Sequence, residues 1–351
     1  MAQNGRTRIS DIASRLGVST ATVSRALSGK SYVRDGLASQ IRAAAVEMNY
    51  ALPGGVTGQR VLLVSSQEAM IDFQRSQFTM HVLAGVQERA DAQDIRVEAF
   101  TYRNSADLLA LHEAAAAPDV IGVLLVTVDD AVLRAACDLP CPAVIVNGDD
   151  PQMQLSSVTP CNRSAAALAT RHLMGLGHRR IAFLNRPGRR TILRRFEGWR
   201  DALADAFDPA LAIEVDDWTA EAAQRSVTGA LQGRLDFTAI VAAGDILAAG
   251  AIAALQCCGR HVPGDVSVLG IDGLPQGQYL SPALSTISIP MHAVGALSLE
   301  LLCETLRLRR AGVPLPARRI ELACELIQRA SCGTACDPAP LHQAEQPGQA
   351  G

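Results

Sequence analysis

The first fifty residues carry apolar positions at helical spacing in three short stretches. The first stretch covers residues 9–16, and Gly17 is well placed to end it. Ser19 can cap a second helix over about residues 20–27, because a serine oxygen accepts hydrogen bonds from first-turn amides. A third helix is expected over about residues 35–48. This pattern predicts a small three-helix domain.

After residue 60 the pattern changes to continuous apolar runs that alternate with helical stretches. Such runs are typical of parallel strands that crossover helices cover on both faces. Their number favours an α/β body of two doubly wound lobes over a single sheet. The runs are VLLVSS (61–66), RVEAF (96–100), GVLLVTV (122–128), AVIVN (143–147), RIAFLN (180–185), AIVAAG (239–244) and VSVLGID (266–272).

Composition shifts predict the domain boundaries. Residues 1–50 form the N-terminal domain, and residues 51–60, ALPGGVTGQR, are predicted to be a linker because they contain one Pro and three Gly. The body is expected over residues 61–330. Residues 331–351 are rich in Pro and small polar residues and are predicted to be a disordered tail.

The sign of the charge differs along the chain. Residues 1–60 carry eight Arg or Lys and three Asp or Glu, a formal charge of +5, whereas the whole chain is at −3. The remaining residues therefore sum to −8. A basic N-terminal domain on an acidic body indicates a module that binds a polyanion.

The stretch ISDIASRLGVSTATVSRALSG (9–29) has the pattern of a helix–turn–helix. Its second helix buries Val23 and Leu27 and turns small polar and basic side chains outward. Arg25 can make a bidentate contact with guanine. We expect this helix to read DNA in the major groove. The candidate DNA-binding residues are Ser19, Thr20, Ala21, Thr22, Ser24, Arg25 and Lys30.

Hydrophobic residues make up 48% of the 351 residues, which excludes a wholly disordered chain. No apolar run reaches the roughly 18–20 residues that a membrane span needs. The N-terminus also lacks the apolar segment of a signal peptide. We expect a cytoplasmic protein that does not act at a membrane.

The headpiece motif and several body motifs resemble the LacI family of bacterial transcription regulators. The body motifs are GHRRIAFL (177–184), RFEGWRDAL (195–203), AAGDILAAGAIAAL (242–255), VPGDVSVLGID (262–272) and SPALSTI (281–287). The resemblance implies a body like that of periplasmic sugar-binding proteins, with a small ligand between its lobes. It also implies a homodimer that places two N-terminal domains on a pseudo-palindromic operator.

The resemblance assigns base reading to Thr20, Ala21 and Arg25. The linker departs from the family, whose hinge helix carries Ala-Arg-x-Leu and wedges a Leu into the minor groove. Here Gly54 and Gly55 oppose a helix, and either the wedge is missing or Val56 makes a weaker one. A ligand-sensing protein with weakened operator binding therefore remains an alternative.

Ligands of doubly wound folds bind at the carboxyl ends of strands. Polar residues predicted to lie there are Ser66, Thr127, Asn147, Asp245 and Asp272. The family resemblance implies that Arg195 grips ligand oxygens, that Asp272 receives sugar hydroxyls and that Asn147 adds a polar contact. It implies a stacking role for Trp218, and Phe78 is a second aromatic candidate. Each of three residues also has a structural alternative. Asp272 can cap a turn, Trp218 can belong to the core, and Arg195 can be a partner in a surface ion pair.

The stretch NRPGRRTILRR (185–195) contains five arginines, more than a neutral sugar needs. A carboxylate or phosphate ligand would use them, because Arg offers bidentate charge-assisted hydrogen bonds. Arg190 with Thr191, and residues 273–278, resemble the gluconate-utilisation branch of the family. We therefore expect a sugar acid such as gluconate. A neutral sugar, a nucleoside or purine, and a solvated helix face for these arginines are the alternatives.

Sequence motifs for catalysis and metal binding are absent. The nine cysteines form no CxxC pair, and no HExxH, GxSxG, Walker or GxGxxG motif occurs. We expect no enzymatic activity, metal or cofactor. A transport-type solute-binding protein would share the body but not the basic N-terminal domain. The sequence predicts a sequence-specific DNA-binding regulator, most simply a repressor of carbohydrate-metabolism genes under allosteric control by a sugar-like effector.

Overall fold

A computed structural model describes residues 8–28, 33–48, 50, 59–67, 73–103, 107–313 and 315–335, without the side chains of residues 28, 35, 39, 42, 46 and 73–78. The chain divides into two compact units. The first unit comprises the residues up to Pro160 together with Pro290–Leu322. The second comprises Cys161–Ile289 together with the residues from Ala323 onward.

Helices and strands alternate through both units. None of the helices in the described part of the chain is long and apolar enough to cross a membrane. In chain order the elements are α1 (Ile9–Leu16), α2 (Thr20–Ser28), α3 (Asp35–Glu47), β1 (Arg60–Ser66), α4 (Phe73–Asp91), β2 (Arg96–Tyr102), α5 (Asp107–Ala115), β3 (Val120–Val126), α6 (Asp130–Ala136), β4 (Ala143–Val146), β5 (Ser156–Pro160), α7 (Asn162–Gly175), β6 (Ile181–Asn185), α8 (Arg190–Leu203), β7 (Ala212–Glu214), α9 (Ala220–Gln232), β8 (Ala239–Ala242), α10 (Asp245–Cys257), β9 (Ser267–Asp272), β10 (Ser285–Ser288), α11 (Met291–Arg310), β11 (Arg319–Leu322) and β12 (Glu325–Ile327).

Helices α1–α3 pack around a small apolar core at the N-terminus. Each helix contributes one fully buried side chain, Ile12, Val23 and Ile41 respectively, all at 0% exposure. Gly17 ends α1 in the left-handed conformation, with a φ of 65°, which glycine adopts without a steric penalty. The three-helix domain and its helix–turn–helix are therefore confirmed.

Each unit contains one six-stranded sheet, as the alternating pattern predicts. The first sheet has the order β11-β5-β4-β3-β1-β2, and all its pairs are parallel. The second has the order β12-β10-β9-β8-β6-β7, and only β12 is antiparallel to its neighbour. Every residue of β3 is buried, which explains its unbroken apolar run. The doubly wound α/β class is confirmed for both units.

Several strands lie where the apolar pattern did not predict them. Strand β5 has the sequence SSVTP, yet every one of its residues is buried. Its hydroxyl groups lower the cost of burial by hydrogen bonding, since Ser156 Oγ accepts the Arg318 amide at 3.1 Å. A strand rich in Ser and Thr therefore has no apolar signature, although it lies inside the sheet.

The prediction that the disordered tail begins at residue 331 is wrong. Residues 331–335 are described and pack on the second unit. Ser331 is fully buried, and its hydroxyl donates to the Val268 carbonyl at 2.6 Å and accepts the Ser285 amide at 2.8 Å. Hydrogen bonds rather than apolar burial hold this segment, so composition did not reveal it. Residues 336–351 lie outside the described residues.

His178, from the GHRR motif, fastens the same segment. Its Nε2 lies 3.1 Å from the Gly333 carbonyl, and its Nδ1 lies 2.9 Å from the Thr238 hydroxyl. Because a carbonyl only accepts, Nε2 carries the proton and the Thr238 hydroxyl donates to Nδ1. Burial lowers the pKa of His178, which favours this neutral form. The histidine therefore has a structural role.

Glycines allow the helices of each layer to approach closely. A Cβ at Gly198 of α8 would lie 2.0 Å from the Arg163 carbonyl oxygen of α7. In the first unit the contact between α4 and α11 is reciprocal, because Cβ atoms at Gly85 and Gly295 would meet the facing backbone at 2.0 and 2.1 Å. The glycine of the RFEGW motif is thus required by helix packing.

We expect Gly198→Ala to destabilise the protein by about 1–3 kcal/mol, because its methyl group would meet a backbone oxygen. Gly229→Ala is the matched control within α9, where a Cβ would have nothing within 4 Å. The control should stabilise the protein by up to about 1 kcal/mol, the difference in helix propensity. Urea unfolding of both variants measures the two effects, and equal effects would contradict the packing argument.

Candidate nucleic-acid interface and ligand site

Helix α2 turns its apolar residues inward and its small polar residues outward. Val23 and Leu27 face the core of the N-terminal domain at 0% and 9% exposure. Thr22 is half-buried. The structure brings the predicted base-reading residues together on the opposite face, where the exposed side chains are Thr20, Ala21, Ser24 and Arg25.

Ser19 begins this helix as its cap. Its Oγ accepts the Thr22 amide at 3.1 Å, and the two hydroxyls lie 2.8 Å apart. The Arg25 side chain lies along the helix, with Nε donating to the Ala21 carbonyl at 3.2 Å. Lys30 and residues 51–58 of the predicted linker lie outside the described residues.

In the first unit, two predicted ligand-binding residues have strained backbones at strand ends. Thr127 directly follows β3 with a φ of 50°, and Asn147 directly follows β4 with a φ of 58°. Positive φ is a genuine outlier for a β-branched residue such as Thr127, whereas asparagine adopts it more readily. Such strain concentrates at functional sites, where the surrounding structure holds it.

The same edge also contains buried oxygens without protein partners. Within the described residues, Ser65 Oγ and Asn147 Oδ1 have no hydrogen-bond partner. Ser65 is 1% exposed, and Ser66 beside it ends β1. Unpaired buried polar atoms are rare and indicate a place where a ligand or water binds. Phe78 belongs to α4, but its side chain lies outside the described residues.

In the second unit, Arg195 is buried at 4% exposure and is held by three elements. Its Nε donates to Asn162 Oδ1 of α7 at 2.9 Å. Its Nη1 donates to the Ala243 carbonyl, directly after β8, and to Asp272 Oδ1 at the end of β9 at 3.2 Å. Arg195 and Asp272, which the sequence names separately as ligand contacts, thus form one ion pair at the carboxyl edge of the sheet. The alternative of a surface ion pair for Arg195 is wrong, because its side chain is buried.

Trp218 lies at the same edge because position 244 is glycine. A Cβ at Gly244 would lie 2.5 Å from the Trp218 ring and 3.1 Å from Asp272 Oδ2. The ring and the carboxylate therefore share a small volume that a side chain at 244 would fill. Asp272 has a φ of 146°, which is unusual for a residue with a Cβ. Burial raises its pKa, and Arg195 opposes this effect.

Asp245 directs its carboxylate into the protein rather than toward a ligand. It is 4% exposed, Oδ1 accepts the Thr286 hydroxyl at 2.6 Å, and Oδ2 accepts the Leu274 amide at 2.7 Å. Burial, and then the charge of Asp272, raise the pKa of Asp245 to about 7. This geometry argues against the direct ligand contact that the sequence predicts.

The five arginines of residues 186–195 do not form a common cluster of unoccupied cations. Arg195 is buried, Arg194 pairs with Glu197 at 3.0 Å, and Arg186 donates to the Asp216 carbonyl at 3.2 Å. Arg189 and Arg190 lie half-buried at the start of α8 and also interact within the protein. These contacts weaken the charge argument for an acidic ligand.

The sequence assigns no site role to two further residues, although Thr286 lies within the SPALSTI motif. Asn162 follows β5, whose polar sequence does not predict a strand, so nothing marks Asn162 as a strand-end residue. Thr286 lies inside β10, where it is fully buried. Only the tertiary contacts with Arg195 and Asp245 reveal these two residues.

We expect the Asp245 carboxyl to make stability fall as pH rises. Because its native pKa of about 7 exceeds the ordinary 3.8, the native state keeps a proton that the unfolded chain releases. The contribution is present below about pH 4 and is lost as pH rises to about 7. Asp245→Asn should remove this contribution to the pH dependence of stability. Urea unfolding from pH 5 to 8 tests it, with the exposed Asp205→Asn as control, and parallel profiles for wild type and Asp245→Asn would refute it.

Comparisons with known proteins match two regions of the chain to family models. Residues 8–52 match the family of bacterial regulatory proteins named after lacI, and residues 170–332 match a periplasmic binding protein-like domain. The HTH-type transcriptional regulator MalR of Streptomyces coelicolor is 30% identical, over 94% of this chain and 97% of MalR. The transcriptional regulator CelR in complex with cellobiose is 26% identical, with a TM-score of 0.69 over 93% of this chain and 100% of CelR.

The fold alone is shared with a more distant structure, a lac repressor dimer bound to operator and the anti-inducer ONPF. It is 24% identical, with a TM-score of 0.69 over 94% of this chain and 100% of that chain. The match to MalR extends over nearly the whole of both proteins, and the matched regulatory domain coincides with the helix–turn–helix. This chain therefore belongs to the LacI family of DNA-binding transcriptional regulators.

Proposed function

We propose that the protein is a homodimeric repressor of carbohydrate-metabolism genes that binds a pseudo-palindromic operator under the control of a cyclic sugar. The observation that carries the proposal is the buried Arg195–Asp272 ion pair beside Trp218, in a chain whose N-terminal domain is a helix–turn–helix. The first feature provides a receptor for a polyhydroxylated ligand, and the second provides a reader of DNA.

The chemistry at the edge of the second sheet fits a neutral ring sugar. Sugar hydroxyls both donate and accept, so they need a carboxylate oxygen and an N–H group side by side. Asp272 and Arg195 supply that pair, joined by Arg195 Nη1 and Asp272 Oδ1 at 3.2 Å. The carboxylate also accepts the Asp245 amide, and a carboxylate has about four lone-pair sites, so it can still accept a sugar hydroxyl. The Trp218 ring offers a flat apolar surface to the C–H face of a sugar ring.

The strand-end residues of the first unit, taken by themselves, have side chains that suit a sugar. Thr127 and Asn147 hold polar side chains at strand ends with positive φ, and Ser65 has a buried hydroxyl without a partner. These are hydroxyl and amide groups rather than cations. Neutral donors and acceptors match the hydroxyls of a sugar and give no preference to an anion.

A sugar acid such as gluconate is the second candidate. The observation that favours it is the position of Arg189 and Arg190 at the start of α8, because a helix N-terminus and guanidinium groups both attract anions. All five arginines of residues 186–195, Arg189 and Arg190 included, already interact within the protein. We therefore place the neutral sugar first.

The dimer and the operator rest on the family and on α2. The outward face of α2 combines three uncharged small side chains with Arg25, the arrangement with which recognition helices read base edges. The relative solved on operator DNA is a dimer. A dimer places two recognition helices about one helical turn apart on the DNA, which requires a pseudo-palindromic operator.

We expect a neutral ring sugar to raise the melting temperature, because binding stabilises the native state by about RT ln(1+[L]/Kd). The screen compares glucose, cellobiose and ribose with gluconate. Asp272→Asn keeps the side-chain shape but removes the charge, and should weaken the sugar by about tenfold or more, as loss of a charge-assisted hydrogen bond does.

Arg190→Ala separates the two candidates. If the ring-sugar proposal is right, this variant should leave the melting-temperature shift with neutral sugars unchanged. A shift with gluconate alone that Arg190→Ala abolishes would replace the neutral sugar by a sugar acid. The absence of a shift with any member of the screen would contradict both candidates.

We expect Arg25→Ala to weaken binding to the selected operator by about 1–3 kcal/mol and to relax the preference at one base pair in each half-site. The operator is first selected from random duplexes with the full-length protein. Anisotropy titrations then measure each variant at one fixed salt concentration, because affinity depends on salt. The exposed Arg260→Ala in the second unit is the control for loss of one positive charge. An unchanged base preference would remove Arg25 from the reading of DNA.

A further inference from the structure

The loop that follows β9 is held by two buried side chains from other elements. Asp245, the first residue of α10, accepts the Leu274 amide on Oδ2 and the Thr286 hydroxyl on Oδ1. The Thr286 oxygen in turn accepts the Gly273 amide at 3.2 Å. The backbone amides of the two residues after Asp272 are therefore bound to one connected pair, the carboxylate of Asp245 and the hydroxyl of Thr286.

Two glycines leave space for this arrangement. A Cβ at Gly270 would lie 2.2 Å from Asp245 Oδ1, so any other residue at 270 would displace the carboxylate. A Cβ at Gly273 would lie 2.7 Å from the Cα of Ser288, and Gly273 has a φ of 76°. The strands and the loop are thus shaped around the buried carboxylate.

The backbone next to these hydrogen bonds is strained at Asp272. Asp272 has a φ of 146°, a conformation that persists only where the surrounding structure holds it. The two amides held by Thr286 and Asp245 lie directly after Asp272 in the chain. Because these two hydrogen bonds fix the loop, they also fix the Asp272 backbone. They thereby keep the Asp272 carboxylate directed toward Arg195.

We propose that Asp245 and Thr286 are positioning residues that set the affinity for the effector by holding Asp272 in its strained conformation, without contacting the effector themselves. This inference rests on the proposed function, in which Asp272 receives sugar hydroxyls. It replaces the direct contact predicted for Asp245 and adds Thr286, a residue of the SPALSTI motif to which the sequence assigns no site role. Both oxygens of Asp245 are already engaged at 2.6 and 2.7 Å, inside the protein.

Paired substitutions separate the hydrogen bonds from packing. Thr286→Val keeps the size and β-branching of the side chain but removes the hydroxyl, whereas Thr286→Ser keeps the hydroxyl. Asp245→Ala removes both acceptors. Asp245→Asn keeps one acceptor and lets the Thr286 hydroxyl reverse its direction. Thr170→Val is the control for loss of a buried hydroxyl, since Thr170 bonds only the Ala166 carbonyl within α7.

Three readouts are taken on the full-length protein. Affinity is measured by calorimetry with the sugars of the screen, glucose, cellobiose, ribose and gluconate. Trp218 emission is recorded in a Trp199→Phe background, because the chain has two tryptophans and Trp218 borders the same volume as Asp272. Hydrogen exchange follows the peptide that contains the Gly273 and Leu274 amides. Melting temperature checks that each variant is folded.

We expect Thr286→Val to weaken the bound sugar at least tenfold, to shift Trp218 emission and to speed exchange of the two amides at least tenfold. Thr286→Ser and Asp245→Asn should stay within about threefold of wild type, and Thr170→Val should match wild type in all three readouts. Unchanged affinity in Thr286→Val and Asp245→Ala, with faster exchange of the loop, would overturn the proposal.

The two proposals fail in distinguishable ways. If no sugar in the screen binds the wild-type protein, the proposed effector class is wrong. The emission and exchange data then decide whether Asp245 and Thr286 position Asp272. Unchanged Trp218 emission and unchanged exchange in Thr286→Val would overturn the positioning role whatever the effector is.

Discussion

A buried guanidinium organises the carboxyl edge of the second sheet. A buried guanidinium needs acceptors for its N–H groups, and α7, the end of β8 and the end of β9 each give Arg195 one. Removing one partner of such a pair leaves an uncompensated charge and costs about 3–5 kcal/mol. The hydrogen bond from Arg195 also fixes the direction of the Asp272 carboxylate, whose other oxygen lies beside Trp218. The arrangement of polar groups at this edge is therefore a consequence of how a buried charge is satisfied.

Tight helix layers make the strain at the strand ends possible. Thr127, Asn147 and Asp272 all have positive φ, and each lies at or directly after the end of a buried strand. Glycines at the helix contacts, such as Gly85, Gly198 and Gly295, bring backbones so close that the layers have little freedom to relax. Rigid layers can hold unfavourable backbone conformations at their edges, which is how functional sites keep polar groups in fixed directions.

The fold was predictable from the sequence to a large extent, and the candidate site only in part. The continuous apolar runs predicted the central strands of both sheets, but β5 was missed because its buried residues are mainly Ser and Thr. Arg195 was predicted by family resemblance, Asp272 by both strand-end position and resemblance, and the structure joins them in one ion pair. Asp245 was predicted by strand-end position, yet its carboxylate bonds to Thr286 and the Leu274 amide inside the protein. Helix α10 begins there, and the buried loop needs the acceptors. The arginine-rich stretch was read as one anion site, although its members are divided among different partners.

By itself, the sequence determined the helix–turn–helix, the alternation of strands and helices and the basic N-terminal domain. These features depend on local spacing, because the period of apolar residues and the position of a capping serine are properties of neighbouring residues. Only the tertiary structure decided which polar groups form hydrogen bonds within the protein and with which partners. Arg195 and Asp272 are separated by many residues, and the partners of Asp245 come from two later elements. A hydrogen bond between distant residues leaves no periodic trace in the chain, so their roles became visible only when the fold brought them together.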